Sequence, residues 1–257
     1  MHISLAAETL FHLGPLPVTN SLLVGSFVVA LLLVAAFSLS KNLSDVPRGI
    51  QNIAEALVEI MLGYADSVTG DRAKSIRFMP MVGAIFFFVL TANWLGLLPG
   101  FGSIGLNATE EGRQVFIPFF RAASADLNFT LALAIVSVVS AQIYGMRSVG
   151  PLAYWGKFFV PPWRSPYFIG TFVGALELVS EFAKVISFSF RLFGNVFAGE
   201  VLLMAMGFLA PYLTPIPFIF MEIFVGLVQA TVFAMLSLVF FTIASAGHGE
   251  SEEAHAH

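Results

Sequence analysis

The chain has 257 residues, of which 58% are hydrophobic and 11% charged. A soluble domain of that size cannot hide so much apolar surface, so the long apolar runs belong in lipid. The net charge of −4 argues against nucleic acid as a partner, and the lack of cysteine excludes disulfides and thiolate metal sites.

The runs exceed twenty residues and lack polar alternation, so helices rather than barrel strands are predicted. The fold class expected is all-α and polytopic, with residues 1–257 forming a single membrane domain. No cleavable signal is expected, because the first twenty residues carry no Lys or Arg and hold Pro15 and Pro17.

The first span is predicted over 18–39, long enough to cross roughly 30 Å of hydrocarbon. Residues 48–64 differ. Ile50, Ile53, Leu57, Met61 and Tyr64 recur at three- and four-residue spacing, with Gln51, Glu55 and Glu59 on other faces. That pattern predicts an amphipathic helix lying on the membrane surface. A basic cluster of Arg72, Lys74 and Arg77 follows.

The second span is predicted over 80–98, then a polar loop over 99–126, then the third span over 127–146. The fourth and fifth runs, 168–210 and 218–244, are longer than a bilayer needs, at about 60 and 40 Å if fully helical. Strong tilt is expected of this pair, as in helices that wrap a curved partner. The tail 247–257 is acidic and carries histidine. It is expected to be a frayed, solvated end with no metal role.

Loops 40–79 and 147–167 hold eight of the twelve Lys and Arg residues; loop 99–126 holds two. The positive-inside rule then puts the N-terminus outside and the C-terminus in the cytoplasm.

The fourth span carries Glu177, Glu181, Lys184, Arg191 and Glu200. Each charge inside a membrane helix costs about 2.5–3.5 kcal/mol even on the lenient insertion scale. On a helical wheel at 100° per residue, Glu177, Ser180, Lys184, Ser187 and Asn195 all fall within about 40° of Arg191. Glu200 falls about 180° away. In the last span Glu222 and Gln229 are seven residues apart and share a face.

If the two helices are antiparallel with Gln229 level with Arg191, Glu222 and Glu200 lie within about 3 Å of one depth. Two carboxylates at one depth can share a water-filled pocket and exchange protons. Singly, Ser180, Ser187 and Gln229 also suit plain hydrogen bonding between helices, and Glu181 suits pairing with Lys184 or with Glu177 at helical spacing. Arg191 has no acid three or four residues away. The pattern suggests an ion pathway made of two offset polar tracks on either side of a buried arginine.

The run Ser189-Phe190-Arg191-Leu192-Phe193-Gly194-Asn195, followed by Ala198-Gly199-Glu200, resembles the signature of F-type ATP synthase subunit a. Asn93-Trp94-Leu95-Gly96-Leu97-Leu98-Pro99-Gly100, Ala125-Asp126-Leu127-Asn128 and Leu227-Val228-Gln229-Ala230 with Phe233 are similar to the same family. The resemblance covers roughly residues 45–245.

It implies a non-catalytic, ion-translocating subunit facing a ring of c subunits, each with a mid-membrane carboxylate. Peripheral-stalk b subunits would be neighbours, and the F1 sector an indirect partner. Arg191 matches the essential arginine, and Glu200 and Glu222 match the outer half-channel. Asn195 and Gln229 match polar neighbours of the arginine, and Glu177, Ser180 and Lys184 the cytoplasmic path. Asn93, Asp126 and Asn128 match positions near the outer access route.

Related sequences often pair a Glu with a His where this chain has Glu200 and Glu222. No histidine lies in a predicted span, which excludes a histidine relay here. The resemblance implies no cofactor and a bacterial cell membrane, with a thylakoid-type membrane as the alternative. Ion choice, proton or sodium, depends on the rotor's binding site in another chain.

A self-contained secondary transporter is the main rival, and it would show inverted repeats or Gly/Pro-interrupted helices. No repeat is present and the fourth span has no proline. A purely structural scaffold leaves Arg191 unexplained.

Overall fold

In chain order, a short hairpin of β1 (Thr9–Leu13) and β2 (Leu16–Thr19) leads into α1, Asn20–Lys41. The computed structural model describes residues 8–14, 16–41, 44, 47, 49–98, 100, 104–110, 113–156, 158, 169–209 and 215–246. The 247–257 tail, Arg48 at the predicted start of the surface helix, and the predicted ends of the fourth span, Phe168 and Ala210, lie outside the described residues. Thr19 starts α1 by accepting a hydrogen bond from the Leu22 N–H through its hydroxyl at 3.2 Å, satisfying a first-turn donor. One face of α1 buries Val24 and Val28, while Leu22, Phe27, Leu33, Val34 and Phe37 are exposed. That apolar outer face suits lipid.

The surface helix α2 spans Ile50–Thr69, five residues beyond the predicted end. Gly70 stops it in the left-handed conformation at φ 66°, donating its N–H to the Asp66 carbonyl. The protein-facing side runs through Leu57, Val58, Met61, Leu62 and Ala65. Ile53, Ile60 and Tyr64 fall on a second, exposed apolar face. The predicted stripe therefore divides: Leu57 and Met61 pack inward, whereas Ile53 and Tyr64 do not. Two apolar faces and one edge with Glu55 and Glu59 fit a helix lying between protein and membrane interface.

The helix α3 spans Arg72–Gly96, starting eight residues before the predicted span. Asp71 caps it, accepting the Ala73 N–H at 2.8 Å. The basic cluster thus occupies its first turns, and Arg72 pairs with Asp66 of α2 at 2.6 Å. Pro80 lies inside the helix rather than at its start.

The loop read from sequence as irregular contains an antiparallel hairpin of β3 (Gly105–Glu110) and β4 (Arg113–Pro118). A single 3-10 turn at Ala123–Ala125 follows. Next come α4 (Leu127–Val149), a short α5 (Pro151–Gly156), α6 (Ile169–Leu209) and α7 (Pro215–Ser245). Pro215 and Pro217 sit in the first turn of α7, where no intrahelical donor is needed.

Five helices, α1, α3, α4, α6 and α7, are long and apolar enough to cross a bilayer, as predicted. Both final helices are continuous. The 41 residues of α6 extend about 60 Å, twice the hydrocarbon thickness. The chain is an all-α, multi-pass integral membrane protein.

Its core forms where α7 packs against α3, α4 and α6. Phe78, Val82, Ile85, Phe86, Val89, Phe188, Leu192, Phe233, Leu238 and Phe241 fill it. Hydroxyl pairs bridge the helices inside it: Thr130 with Ser189 at 3.1 Å and Ser137 with Ser237 at 2.7 Å.

Candidate functional site

Two polar cavities lie on α6 and α7, one on each side of that core. The larger, of about 130 Å³, is lined by Asn93, Arg121, Asn195, Glu200, Glu222 and Gln229 with apolar neighbours. Asn93 is set by α3: its amide donates to the Gly226 carbonyl at 3.4 Å, while the Trp94 indole N–H donates to the Ile223 carbonyl at 3.1 Å. These two bonds tie the end of α3 to the backbone of α7.

Asn195 of α6 donates through Nδ2 to Oε1 of Gln229 at 2.6 Å. Gln229 is therefore level with Asn195, one turn from the Arg191 level assumed in the sequence reading. The two acids still share one depth. Glu222 lies against the backbone at Gly199, the residue beside Glu200.

Glu222 is 8% exposed. Oδ1 of Asn93 and Nε2 of Gln229 are buried without a hydrogen-bond partner among the described residues. Buried polar atoms of that kind are normally satisfied by water, and a cavity of this volume has room for several molecules.

Arg121 is the cavity residue that sequence reasoning passed over. In the sequence it is one of two basic residues in the polar loop 99–126. In the fold it is 9% exposed, and Nη2 donates to Oε2 of Glu200 at 3.4 Å. Nothing local in sequence marks it. Its place depends on the 3-10 turn behind it, whose Ala123, Ser124 and Ala125 are buried among α1, α3, α4 and α6.

The smaller cavity, about 60 Å³, is lined by Gln142, Glu177, Glu181 and Lys184 with Val138, Ala141, Phe240, Ile243 and Ala244. Lys184 pairs with Oε1 of Glu181 at 2.6 Å and sits over the Phe240 ring. Gln142 donates to Oε2 of Glu181 at 2.8 Å, and the Tyr154 hydroxyl donates to Oε1 of Gln142 at 2.6 Å. Burial first, then the negative charges of Glu181 and Glu177, push the Tyr154 phenol of α5 above its ordinary range.

The predicted stripe on α6 thus splits in two. Glu177 and Lys184 line the smaller cavity with Glu181. Ser180, Ser187, Arg191 and Asn195 lie on the exposed side of the helix. Arg191 is near the middle of α6 and has no ion-pair or hydrogen-bond partner among the described residues.

Between the cavities the contact of α6 with α7 is apolar. Leu192, Ala230 and Ala234 are fully buried, and the Phe188 and Phe233 rings meet at 4.5 Å. From Lys184 to Asn195 the separation is about 16 Å along the helix.

The structure gives Asp126 a structural task. Oδ1 caps α4 by accepting the Asn128 N–H at 2.9 Å, and Oδ2 accepts from the Ser21 hydroxyl of α1 at 2.6 Å. Asn128 is exposed beside it. Neither lines the larger cavity.

Comparison with known proteins bears on the same segments. The family described as ATP synthase A chain matches residues 21–242. The chain is 30% identical to ATP synthase subunit a of Moorella thermoacetica over 242 residues, covering 93% of this chain and 96% of that protein. It is 32% identical to ATP synthase subunit a of Syntrophobacter fumaroxidans, over 90% of this chain and 84% of that protein. It is 31% identical to the chloroplastic subunit a of Stigeoclonium helveticum, over 91% and 85%. A match over nearly the whole chain, running through α1 to α7 and both cavities, places this protein in the ATP synthase subunit a family.

Proposed function

We propose that this chain is the ion-translocating, non-catalytic stator subunit of an F-type ATP synthase, passing protons between two offset half-channels and a rotor of c subunits. The observation that carries the reading is Arg191: a permanent cation near the middle of a membrane helix, on its exposed side, without a partner among the described residues. An unpaired guanidinium at that depth costs at least about 2.5–3.5 kcal/mol, and an anionic group on a neighbouring chain relieves it. A ring of mid-membrane carboxylates is such a neighbour.

On this reading the larger cavity is the outer access route. Protons reach Glu222 and Glu200 there, aided by Asn93, Asn195 and Gln229, and neutralise a rotor carboxylate. Once neutral, that site can enter lipid and the ring turns. The cavity at Glu177, Glu181 and Lys184 is the cytoplasmic exit, with Ser180 on the exposed side nearby. The guanidinium attracts each returning rotor carboxylate and repels cations that would otherwise cross between the routes. The membrane potential supplies about 2.3 kcal/mol per charge per 100 mV. The positive-inside distribution of Lys and Arg supports this orientation, with the N-terminus outside.

The test is ATP-driven acidification of inverted vesicles carrying the whole complex. Arg191→Ala is expected to abolish pumping while leaving the complex assembled with its c-ring. Normal coupled pumping by that variant refutes the role.

A further inference from the structure

We propose that Arg121 is a positioning residue of the outer route, holding the Glu200 carboxylate at the cavity wall by a charge-assisted hydrogen bond so that Glu222 is left as the proton-exchanging acid. The inference rests on the outer-route reading above and adds a division of labour between its two acids.

The larger cavity contains three charged side chains among the described residues: Arg121, Glu200 and Glu222. They are not arranged symmetrically. Glu200 accepts from Arg121 at 3.4 Å. Glu222, from the opposite helix, has no ion-pair or hydrogen-bond partner among the described residues and leans on the bare backbone at Gly199. The two acids sit on adjacent residue levels, yet only one is anchored.

The anchor itself is rigid. Arg121 is 9% exposed and is separated by Ala122 alone from the packed 3-10 turn. Ala122 presses against Gly96 at the end of α3, where even a methyl group would lie 2.6 Å from the Ala122 Cβ. An arginine fixed in this way contributes a stationary charge rather than a flexible one. A proton entering the cavity then meets one carboxylate clamped to a guanidinium and one that is not. The unclamped acid has no hydrogen bond among the described residues to give up before it exchanges that proton.

The contact runs through a single guanidinium nitrogen rather than a bidentate fork. Charge is therefore what the position needs, and lysine should largely replace it.

The experiment uses the complete synthase in liposomes, with passive proton flow measured after removal of the soluble sector. R121Q is expected to lower conductance about tenfold, the size of effect that follows loss of one charge-assisted hydrogen bond. R121K should restore about half or more of it, because it returns the charge. R121Q/E200Q should conduct no worse than E200Q alone, since Arg121 acts through Glu200. Wild-type conductance in R121Q, no rescue by R121K, or multiplicative losses in the double variant each overturn the inference.

If R121Q complexes fail to assemble, R121K carries the test. Conductance near that of the starting complex supports the charge contact, and conductance as low as in E200Q overturns it. Should E200Q and E222Q both leave conductance unchanged, the outer route itself is wrong. Should they slow it while R121Q does not, only the role of Arg121 falls.

Discussion

The Glu222 carboxylate of α7 rests on the backbone of α6 at Gly199, so closely that a side chain there would occupy the same space as the carboxylate. Residue 199 thus decides where a buried acid can sit. Gly199→Ala is expected to push Glu222 out of its place and to reduce passive proton flow about tenfold with the helices intact, because overpacking costs typically 1–3 kcal/mol locally. Flow through liposomes, with helicity by circular dichroism as control, measures this. Undiminished flow would show that Glu222 works equally well displaced.

Glu222→Gln keeps shape and removes the exchangeable proton. It is expected to slow proton entry from the outer side, and unchanged conductance counts against a shared acid pocket. Glutamine fits the same cavity beside Gln229 and Asn93, so the thermal midpoint should move little, which separates this variant from one that merely unfolds.

Ser137→Ala breaks the bond between α4 and α7 at Ser237, and the Ser237 hydroxyl keeps its bond to the Phe233 carbonyl. A stability loss of about 0.6 kcal/mol is expected, the average for interhelical hydrogen bonds in membranes. Pumping per assembled complex should be unchanged, since neither serine lines either polar cavity. Unfolding in mixed detergent and vesicle acidification give the two readouts. A pumping defect without a stability change would give these hydroxyls a transport role.

Tyr154 carries a pH dependence. Its phenol keeps its proton past the ordinary value of 10.0, because burial and then Glu181 and Glu177 oppose the phenolate. The folded form therefore binds the proton more tightly than the unfolded form. Its contribution is fully present below about pH 10 and is lost as pH rises toward the folded value. Tyr154→Phe should flatten that alkaline decline and lower stability at neutral pH through loss of the Gln142 bond. Thermal midpoints at pH 8 and pH 11, relative to the parent, check both signs.

All five membrane helices were legible from hydropathy because a span must be apolar over most of its length. Boundaries were less so. Pro80 and the basic cluster look like an entry point, yet Asp71 caps α3 earlier and proline is tolerated inside it. The β3–β4 hairpin is too short for its period to stand out from a polar loop.

At the site, Glu200 and Glu222 line one cavity although Gln229 matches Asn195 rather than Arg191. A one-turn slip in register moves Glu222 from the level of residue 198 to that of residue 202, and Glu200 lies about 3 Å from either. Lys184 left the predicted stripe because its long side chain reaches round to Glu181 and Phe240. Arg121 was invisible for a different reason. Its partner is 79 residues away, and nothing local announces a contact across that distance.

On the proposed reading, the apolar layer at Phe188, Leu192 and Phe233 has an electrical consequence. Hydrated, polarisable recesses on either side of a non-polarisable partition behave like electrodes reaching toward each other. In a bilayer most of the transmembrane voltage then falls across the partition rather than evenly over roughly 30 Å of hydrocarbon. The gap between the recesses is about 16 Å, so the local gradient is on the order of twice the average. Along α6, Arg191 falls within that interval, seven residues from Lys184 and four from Asn195, so on the same reading its charge feels the steepest force.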